Sequence, residues 1–251
     1  MHRRQFVTLA LGATLTGLAR PALATTIRSR FRALAFDGFP ILDPRPVFAL
    51  ARNLFPEQGD ALVSNWRARQ FEYSWLRVAG DRYVDFWQVT ADALVYAARA
   101  TQVELTPEKH ERLMDAWLRL KTWPDVLPVL RRFRVAGLTC AFLSNLSPRM
   151  LEAATASAGL EGLVGPAIST DAVRTYKPDP RAYQLGVDRL ALPKEQILFV
   201  AFGAWDAAGA KWFGYPTYWV NRLQQPAEEL AATVDGEGRD LNDLERFVFA
   251  G

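Results

Sequence analysis

Short apolar runs alternate with amphipathic segments over most of this chain. The runs predict five strands, at residues 31–36, 138–144, 167–169, 196–202 and 217–220. Between them, apolar residues that recur with the period of a helix predict helices over 126–136, 148–158, 180–190 and 204–213. Regular alternation of strand and helix is typical of a parallel sheet that is covered by helices on both faces. The pattern therefore predicts an α/β fold.

Residues 44–123 interrupt this alternation. They show helical periodicity with few strand signals, over 46–54, 59–77, 83–100 and 107–120, and prolines mark both ends. We interpret them as a helical cap subdomain inserted after the first strand. The predicted organisation is a Rossmann-like core with a parallel sheet, from residues 25–43 and 124–251, with the cap at 44–123. The polar tail predicts a turn at 235–238 before a final short helix.

The first 24 residues have a composition of their own. Arg3 and Arg4 precede an apolar run over 7–18, and small residues at 22–24 supply a cleavage site. This order is typical of a twin-arginine export signal and predicts a periplasmic protein. An uncleaved membrane anchor is the alternative, but the apolar run is too short to span a bilayer. After removal of the signal we expect no stable membrane association.

The net charge of +3 comes from the same segment, which contains Arg3, Arg4 and Arg20 and no acidic residue. A trimmed chain is about neutral. The basic balance therefore gives no support for a nucleic-acid partner.

Rare residues exclude several kinds of catalysis. The two histidines are His2, in the signal, and His110, in a charged stretch that reads as a solvated helix face. A Ser-His-Asp triad or a His/Cys zinc site therefore has no plausible histidine. Cys140 lies in an apolar run and is expected to be a buried strand residue. Carboxylate, Lys, Arg, Ser or Asn side chains must carry out any chemistry.

Polar residues follow the predicted strands at the ends where parallel α/β sheets bind ligands. They are Asp37 after the first strand, Ser144 and Asn145 at the second, Lys177 in a loop, and Asp206 after the fourth. A carboxylate can attack a carbon that bears a leaving group and form an ester, and a nearby cation keeps it ionised. Asp37 and Lys177 could meet those requirements.

Taken singly, each residue also fits a structural role. Lys177 could be an exposed amine in a turn, Asp206 the N-terminal acid of a helix, and Arg67 part of a solvated face. Ser144 and Asn145 could cap a strand end, and aromatic residues are by default core. The functional interpretation rests on their joint occurrence at strand ends.

Six segments of the chain make a specific resemblance, which runs from about residue 30 to the C-terminal region. They are Phe36-Asp37-Gly38-Phe39, residues 66–77, residues 82–88, Leu143-Ser144-Asn145, residues 175–179 and residues 204–210. In this order the chain resembles the (S)-2-haloacid dehalogenases of the haloacid dehalogenase superfamily. The resemblance implies hydrolysis of short 2-haloalkanoic acids to 2-hydroxy acids and halide, with neither metal nor cofactor, and it makes a homodimer plausible.

The resemblance also implies a role for each site residue. Asp37 would attack the halogen-bearing carbon with inversion, and Asp206 would position or activate the water that opens the ester. Arg67 would bind the substrate carboxylate or receive the halide, and Lys177 would pair with Asp37. The remaining residues would contact the substrate or support the site: Phe39, Phe71, Phe86, Ser144, Asn145, Tyr183 and Trp205.

Several positions depart from the family pattern. Phe39 stands where superfamily phosphatases carry a second Asp, and a phenyl ring cannot protonate a leaving group, which disfavours phosphatase chemistry. The loop after Asp37 is one residue shorter than usual, and Ala68 replaces a common Gln. Ala201 and Gly203 replace a Ser and an Asn that handle the hydrolytic water.

The losses at 201 and 203 fall on the ester-opening step. A lost polar contact at a reacting centre can cost on the order of 10²–10³ in rate. We therefore hypothesise that alkylation of Asp37 survives while hydrolysis is slow or uses a rearranged water. The alternatives are an impaired relative that binds small carboxylates, and a hydrolase of another small substrate such as fluoroacetate.

Overall fold

The structure is a computed structural model that describes residues 29–250. The predicted export signal lies outside the described residues. Within residues 29–250, no helix is both long enough and apolar enough to cross a membrane.

The described part of the chain contains eight strands. They are β1 (Ala33–Phe36), β2 (Leu42–Asp43), β3 (Lys121–Thr122), β4 (Thr139–Ser144), β5 (Ala167–Ser169), β6 (Ile197–Ala201), β7 (Thr217–Val220) and β8 (Gly236–Gly238). Six of them form one parallel sheet in the order β5-β4-β1-β6-β7-β8. The α/β prediction is confirmed, and all five predicted strands are present.

Ten α-helices accompany the strands in the described residues. They are α1 (Gly38–Ile41), α2 (Arg45–Leu54), α3 (Gly59–Ala79), α4 (Phe86–Ala100), α5 (Pro107–Trp117), α6 (Val126–Val135), α7 (Pro148–Ser157), α8 (Pro180–Leu190), α9 (Ala204–Phe213) and α10 (Leu241–Phe249). Helices α2 to α5 form the helical insertion that the pattern of 44–123 predicted. Helices α5, α7 and α8 each begin at a proline that follows a capping Thr, Ser or Asp, which is the common start signal of a helix.

Strand β8 corrects the prediction of a turn at 235–238. It pairs with β7 through the backbone, with Tyr218 opposite Gly236. A Cβ atom at Gly236 would lie 2.8 Å from the rings of both Phe247 and Tyr218. Packing therefore requires glycine at position 236. Because glycine normally weakens a strand, the sequence of this segment predicted a turn instead.

A two-stranded ribbon joins the cap to the core. Strands β2 and β3 pair antiparallel, with Leu42 opposite Thr122. The prolines that mark the two ends of the cap, Pro44 and Pro46 on one side and Pro124 on the other, lie beside this ribbon. The sequence did not predict the ribbon, because each of its strands has only two residues.

The central strand β1 is completely buried, and its side chains alternate between the two faces of the sheet. Leu34 and Phe36 join the larger hydrophobic cluster, whereas Ala33 and Ala35 join the smaller one with Tyr183 and other residues. The larger cluster continues into the cap, so cap and core share apolar packing. This placement puts Asp37, the next residue, at the centre of the carboxyl edge of the sheet.

Candidate active site

Asp37 lies at the end of the central strand and begins the short helix α1. Its backbone N–H donates to the Val200 carbonyl at 2.9 Å, which continues the pairing of β1 with β6. One carboxylate oxygen, Oδ2, accepts from the Phe39 N–H at 3.2 Å, and the other, Oδ1, accepts from Lys177 Nζ at 2.8 Å. The Asp37 side chain keeps 13% of its surface accessible. It is therefore held from two sides and still reachable.

Lys177 is the buried centre of the site, which overturns the structural alternative of an exposed amine in a turn. Its side chain is 0% exposed, and Nζ lies 2.8 Å from Asp37 and 2.6 Å from Asp206. Burial lowers the pKa of Lys177, but the charges and hydrogen bonds of Asp206 and Asp37 outweigh it, and the net pKa is raised. Lys177 therefore remains an ammonium ion.

Asp206 closes the ion-pair cluster from helix α9. Its Oδ2 accepts from Lys177, and its Oδ1 accepts from the Tyr183 hydroxyl at 2.8 Å. Burial raises the pKa of Asp206 to about 6, with the Asp37 charge adding to the rise, while Lys177 and Tyr183 oppose it. Asp206 is thus ionised at neutral pH and titrates just below it.

The backbone of Lys177 is positioned by side chains from two other parts of the chain. Asn145 Oδ1 accepts from the Lys177 N–H at 3.0 Å and from Thr170 Oγ1 at 3.2 Å. The Trp75 indole N–H, from the cap, donates to the Lys177 carbonyl at 3.2 Å. Asn145 therefore supports the lysine loop as well as bordering the cavity.

A cavity of about 310 Å³ opens beside Asp37. Of the predicted site residues, eight line it: Asp37, Phe39, Arg67, Phe71, Phe86, Ser144, Asn145 and Trp205. Among the lining residues that the structure describes, Arg67 is the only cationic side chain. The surrounding protein lowers the pKa of its guanidinium, first by desolvation and then through the charge of Arg52. An anion in the cavity would therefore be attracted to Arg67.

Three predicted site residues lie behind the cavity wall. Lys177, Tyr183 and Asp206 are each at most 1% exposed and do not line the cavity. The resemblance implied that Tyr183 contacts the substrate or supports the site; it does not line the cavity and instead supports Asp206 from beneath. The reason is that Tyr183 lies in the first turn of α8, which packs against α9 and the sheet.

Aromatic side chains form the cap side of the cavity and its floor. Phe71 and Trp75 lie four residues apart on α3, and the Trp205 ring packs edge-on against them at 5.4 and 5.6 Å. Phe39 packs against Trp117 and Phe202, at 6.2 and 5.8 Å. These rings exclude water from much of the space around the Asp37 carboxylate.

Gly203 and Trp205 are sterically coupled. A Cβ atom at Gly203 would lie only 2.7 Å from Trp205 Nε1. The indole therefore occupies the space that a side chain at position 203 would need. The other substituted position, Ala201, is fully buried in β6. Neither position presents a polar side chain to the cavity.

Asn221, Arg222 and the segment that follows them were not among the site residues predicted from the sequence. Asn221 and several residues up to Glu228 line the cavity beyond Trp205. They come directly after the fifth predicted strand, so the strand-end rule that selected Asp37 could also have found them.

Arg222 holds the loop that follows Asp37. It is 5% exposed, forms two hydrogen bonds of 2.9 Å with the Asp125 carboxylate, and donates to the Pro40 carbonyl at 2.7 Å. The Trp123 indole N–H donates to the carbonyls of Phe39 and Leu42, at 3.0 and 3.1 Å. The shortened loop is thus fixed through its carbonyl oxygens.

We predict that Arg222→Met lowers the free energy of unfolding by about 3 kcal/mol, because it leaves Asp125 unpaired in a mostly buried site. Arg45→Met is the matched control. Both guanidinium groups lie over the Trp123 ring, but the Arg45 side chain is 62% exposed, and its pair with Asp43 should contribute less than about 1 kcal/mol. Urea unfolding of the two variants checks this, and equal losses would contradict the assignment.

Comparison with known proteins agrees with this geometry. A family model for haloacid dehalogenase-like hydrolases matches residues 14–214. The chain is 40% identical to an (S)-2-haloacid dehalogenase of Pseudomonas sp. (strain YL), over 84% of this chain and 91% of that protein. It is 37% identical to haloacetate dehalogenase H-2 of Moraxella sp. (strain B), over 82% and 92%.

A solved structure is similar in the same way. The L-2-haloacid dehalogenase from Xanthobacter autotrophicus, with chloropropionic acid covalently bound, matches with a TM-score of 0.81 and 32% identity, covering 87% of this chain and 98% of that one. The family model, the sequence relatives and the solved structure therefore identify the same family over most of the chain. The chain belongs to the haloacid dehalogenase-like hydrolases and, within them, to the (S)-2-haloacid dehalogenases.

Proposed function

We propose that this protein hydrolyses the carbon–halogen bond of short 2-haloalkanoic acids and releases a 2-hydroxy acid and a halide ion. The observation that carries the proposal is an accessible Asp37 carboxylate, paired with a buried ammonium group and facing a cavity that contains one guanidinium group. The names of the curated relatives and the covalently bound acid in the Xanthobacter enzyme support the same reaction.

In the first step, an Asp37 oxygen attacks C2 of the substrate while the carbon–halogen bond breaks. Oδ1 is engaged by Lys177, so Oδ2, which accepts only from the Phe39 N–H, is the freer nucleophile. The electron pair of the broken bond leaves with the halide, and the configuration at C2 inverts. Arg67 binds the substrate carboxylate or the departing halide, and the aromatic wall keeps competing water away.

In the second step, water adds to the carboxyl carbon of the Asp37 ester, and the 2-hydroxy acid leaves. The water reaches the ester from the cavity, and in this scheme its proton passes to Asp206, which shares Lys177 with Asp37 behind the cavity wall and whose pKa of about 6 suits a base that works at neutral pH. Asp206 then gives that proton to the C2 oxygen of the departing hydroxy acid. The oxygen that the product gains at C2 comes from Asp37, and water restores the carboxylate. Lys177 keeps both carboxylates in place throughout.

The second step is where this chain departs from its family. Ala201 and Gly203 present no polar side chain, and the Trp205 indole fills the space beside Gly203. We therefore propose that ester hydrolysis limits turnover. In the extreme case the protein would be an impaired relative that binds small carboxylates and becomes alkylated once.

We predict that exposure to (S)-2-chloropropanoate adds one 2-propanoate group to the Asp37 peptide, and that this ester accumulates before steady state. Mass spectrometry after rapid quenching measures it, together with a burst of chloride that matches the enzyme concentration. Asp37→Asn serves as the control and should give neither.

Two outcomes would count against the proposal, and they differ. Rapid steady turnover with no accumulated ester would refute slow hydrolysis but leave the dehalogenase function intact. Absence of both ester and chloride from the unaltered protein would refute the function itself.

The ion-pair cluster predicts a pH dependence. The pKa of Asp206 is raised to about 6, so the group is ionised above that pH and gains a proton as the pH falls through it. Protonation removes one partner of Lys177 and the base for hydrolysis. We expect kcat for halide release to fall about tenfold per pH unit below 6. Asp206→Asn should be slow at pH 8 and lack this acid limb; an unchanged limb in that variant would assign it to another group.

We also propose that the protein acts in the periplasm, because residues 1–24 have the order of a twin-arginine signal. Replacing both Arg3 and Arg4 by Lys keeps the charge and should leave the protein in the cytoplasm. Cell fractionation with detection of the chain measures this, and Arg20→Lys is the control. Unchanged export of the double variant would exclude the twin-arginine route.

We also propose that the protein forms a homodimer, which the resemblance to the (S)-2-haloacid dehalogenases implies.

A further inference from the structure

The cavity beside Asp37 is larger than a short haloacid needs. Its volume of about 310 Å³ corresponds to roughly ten water molecules at liquid density. A 2-halopropanoate, bound with its carboxylate at Arg67 and C2 at Asp37, fills well under half of that space. The remaining volume therefore lies outside the reacting part of the substrate.

This extra space extends along the carboxyl edge of the sheet. The lining residues lie at the ends of four adjacent strands: Ser144 to Leu146 at β4, Asp37 after β1, Phe202 to Trp205 after β6, and residues between Asn221 and Glu228 after β7. Neighbouring strands are spaced by about 4.8 Å, so the segment after β7 lies about 10 Å from Asp37 across the sheet. The cavity thus extends along the sheet edge from β4 to β7, and its longer arm from Asp37 runs toward β7.

The two ends of the cavity differ chemically. Arg67, on the cap, is the only cationic residue among the described residues that line the cavity, so an anionic substrate places its carboxylate there. The β7 end is lined by the apolar Leu223, Pro226 and Ala227, by the polar Asn221 and Gln225, and by the acidic Glu228. The lining residues from 223 onward are exposed, so this end forms the rim of the cavity. This end offers apolar contact and repels a second carboxylate. A monoanionic substrate is therefore oriented with its apolar end toward β7.

The wall at the β7 end is built into the fold. Asn221 is 8% exposed, and its side chain donates to the Gln225 carbonyl and to Glu237, at 2.8 and 2.9 Å. Its Oδ1 accepts from the Gln225 N–H at 2.8 Å. These bonds hold residues 221–225 in a closed turn against β8, and the following residues 226–228 complete the wall.

We propose that residues 223–227 form a subsite for the alkyl chain of the substrate, so that the protein prefers 2-haloalkanoic acids longer than propanoate, of about five or six carbons. This inference rests on the proposed dehalogenase function. Each buried methylene group contributes about 0.8 kcal/mol, which corresponds to about a fourfold increase in kcat/KM as long as the subsite has room.

The test compares halide release from (S)-2-bromopropanoate and (S)-2-bromohexanoate. The measured quantity is the ratio of kcat/KM for the longer to the shorter acid, which should be about tenfold or more in the unaltered protein. Ala227→Phe fills the subsite and should lower the ratio at least tenfold. Leu223→Asp places a charge on its wall and should lower the ratio as well. Glu229→Phe is the matched control, since Glu229 is exposed and does not line the cavity.

A ratio below one in the unaltered protein would overturn the subsite, and so would an Ala227→Phe ratio equal to that of Glu229→Phe. The failure of the underlying function has a different signature, because then neither acid would release bromide. Thermal unfolding of each variant separates a filled subsite from a disrupted loop, since a merely destabilised variant keeps the ratio of the unaltered protein.

Discussion

The ammonium group of Lys177 is buried without access to solvent, and the site is organised around that charge. A buried cation is tolerated only when it is paired and hydrogen-bonded, and here two carboxylates share it. The requirement brings together a strand end, a loop and a helix that are far apart in sequence. It also orients the Asp37 carboxylate, with one oxygen left nearly free. Two carboxylates and one ammonium leave a net negative charge, so the bound anion depends on Arg67 from the cap.

The close approach of helix α9 to this charge has a steric condition of its own. A Cβ atom at Gly209 would lie 2.7 Å from the Pro178 side chain, which follows Lys177 directly. Glycine at 209 therefore lets Asp206, one turn earlier on α9, reach the ammonium group. Asp206 provides the negative charge that pairs with Lys177, and Gly209 allows helix α9 to come close enough for that pairing.

The cap contributes to the site by closing it. Trp75 donates to the Lys177 carbonyl, Tyr83 donates to Asp171 at 2.7 Å, and Tyr176 donates to the Val84 carbonyl at 2.6 Å. These bonds tie the cap to the core beside the buried ion pair, while Phe71 and Phe86 face the cavity. Low water content strengthens the electrostatic interactions inside. The same closure limits the access of the water that opens the ester. The absence of polar side chains at Ala201 and Gly203 therefore affects the hydrolysis step directly.

Much of this protein could be predicted from its sequence. Periodicity located five strands and the helical insertion, because those patterns are local. The strand-end rule selected Asp37, Asn145 and Asp206, and motif resemblance added Arg67 and the aromatic wall. These conclusions needed only the order of residues along the chain and the geometry of parallel sheets.

Other features depended on packing between distant segments. The sequence left open whether Lys177 is a buried ion or an exposed amine, and its burial between the end of β1 and helix α9 decided it. Tyr183 supports Asp206 from behind the cavity because helix α8 packs toward α9. Strand β8 pairs with β7 although it contains two glycines, and Gly236 is required there because the rings of Tyr218 and Phe247 leave no room for a side chain. The Asn221 side chain ties the wall of the cavity to β8 through its bond to Glu237. Such contacts join residues that no local pattern relates, so only the tertiary structure could determine them.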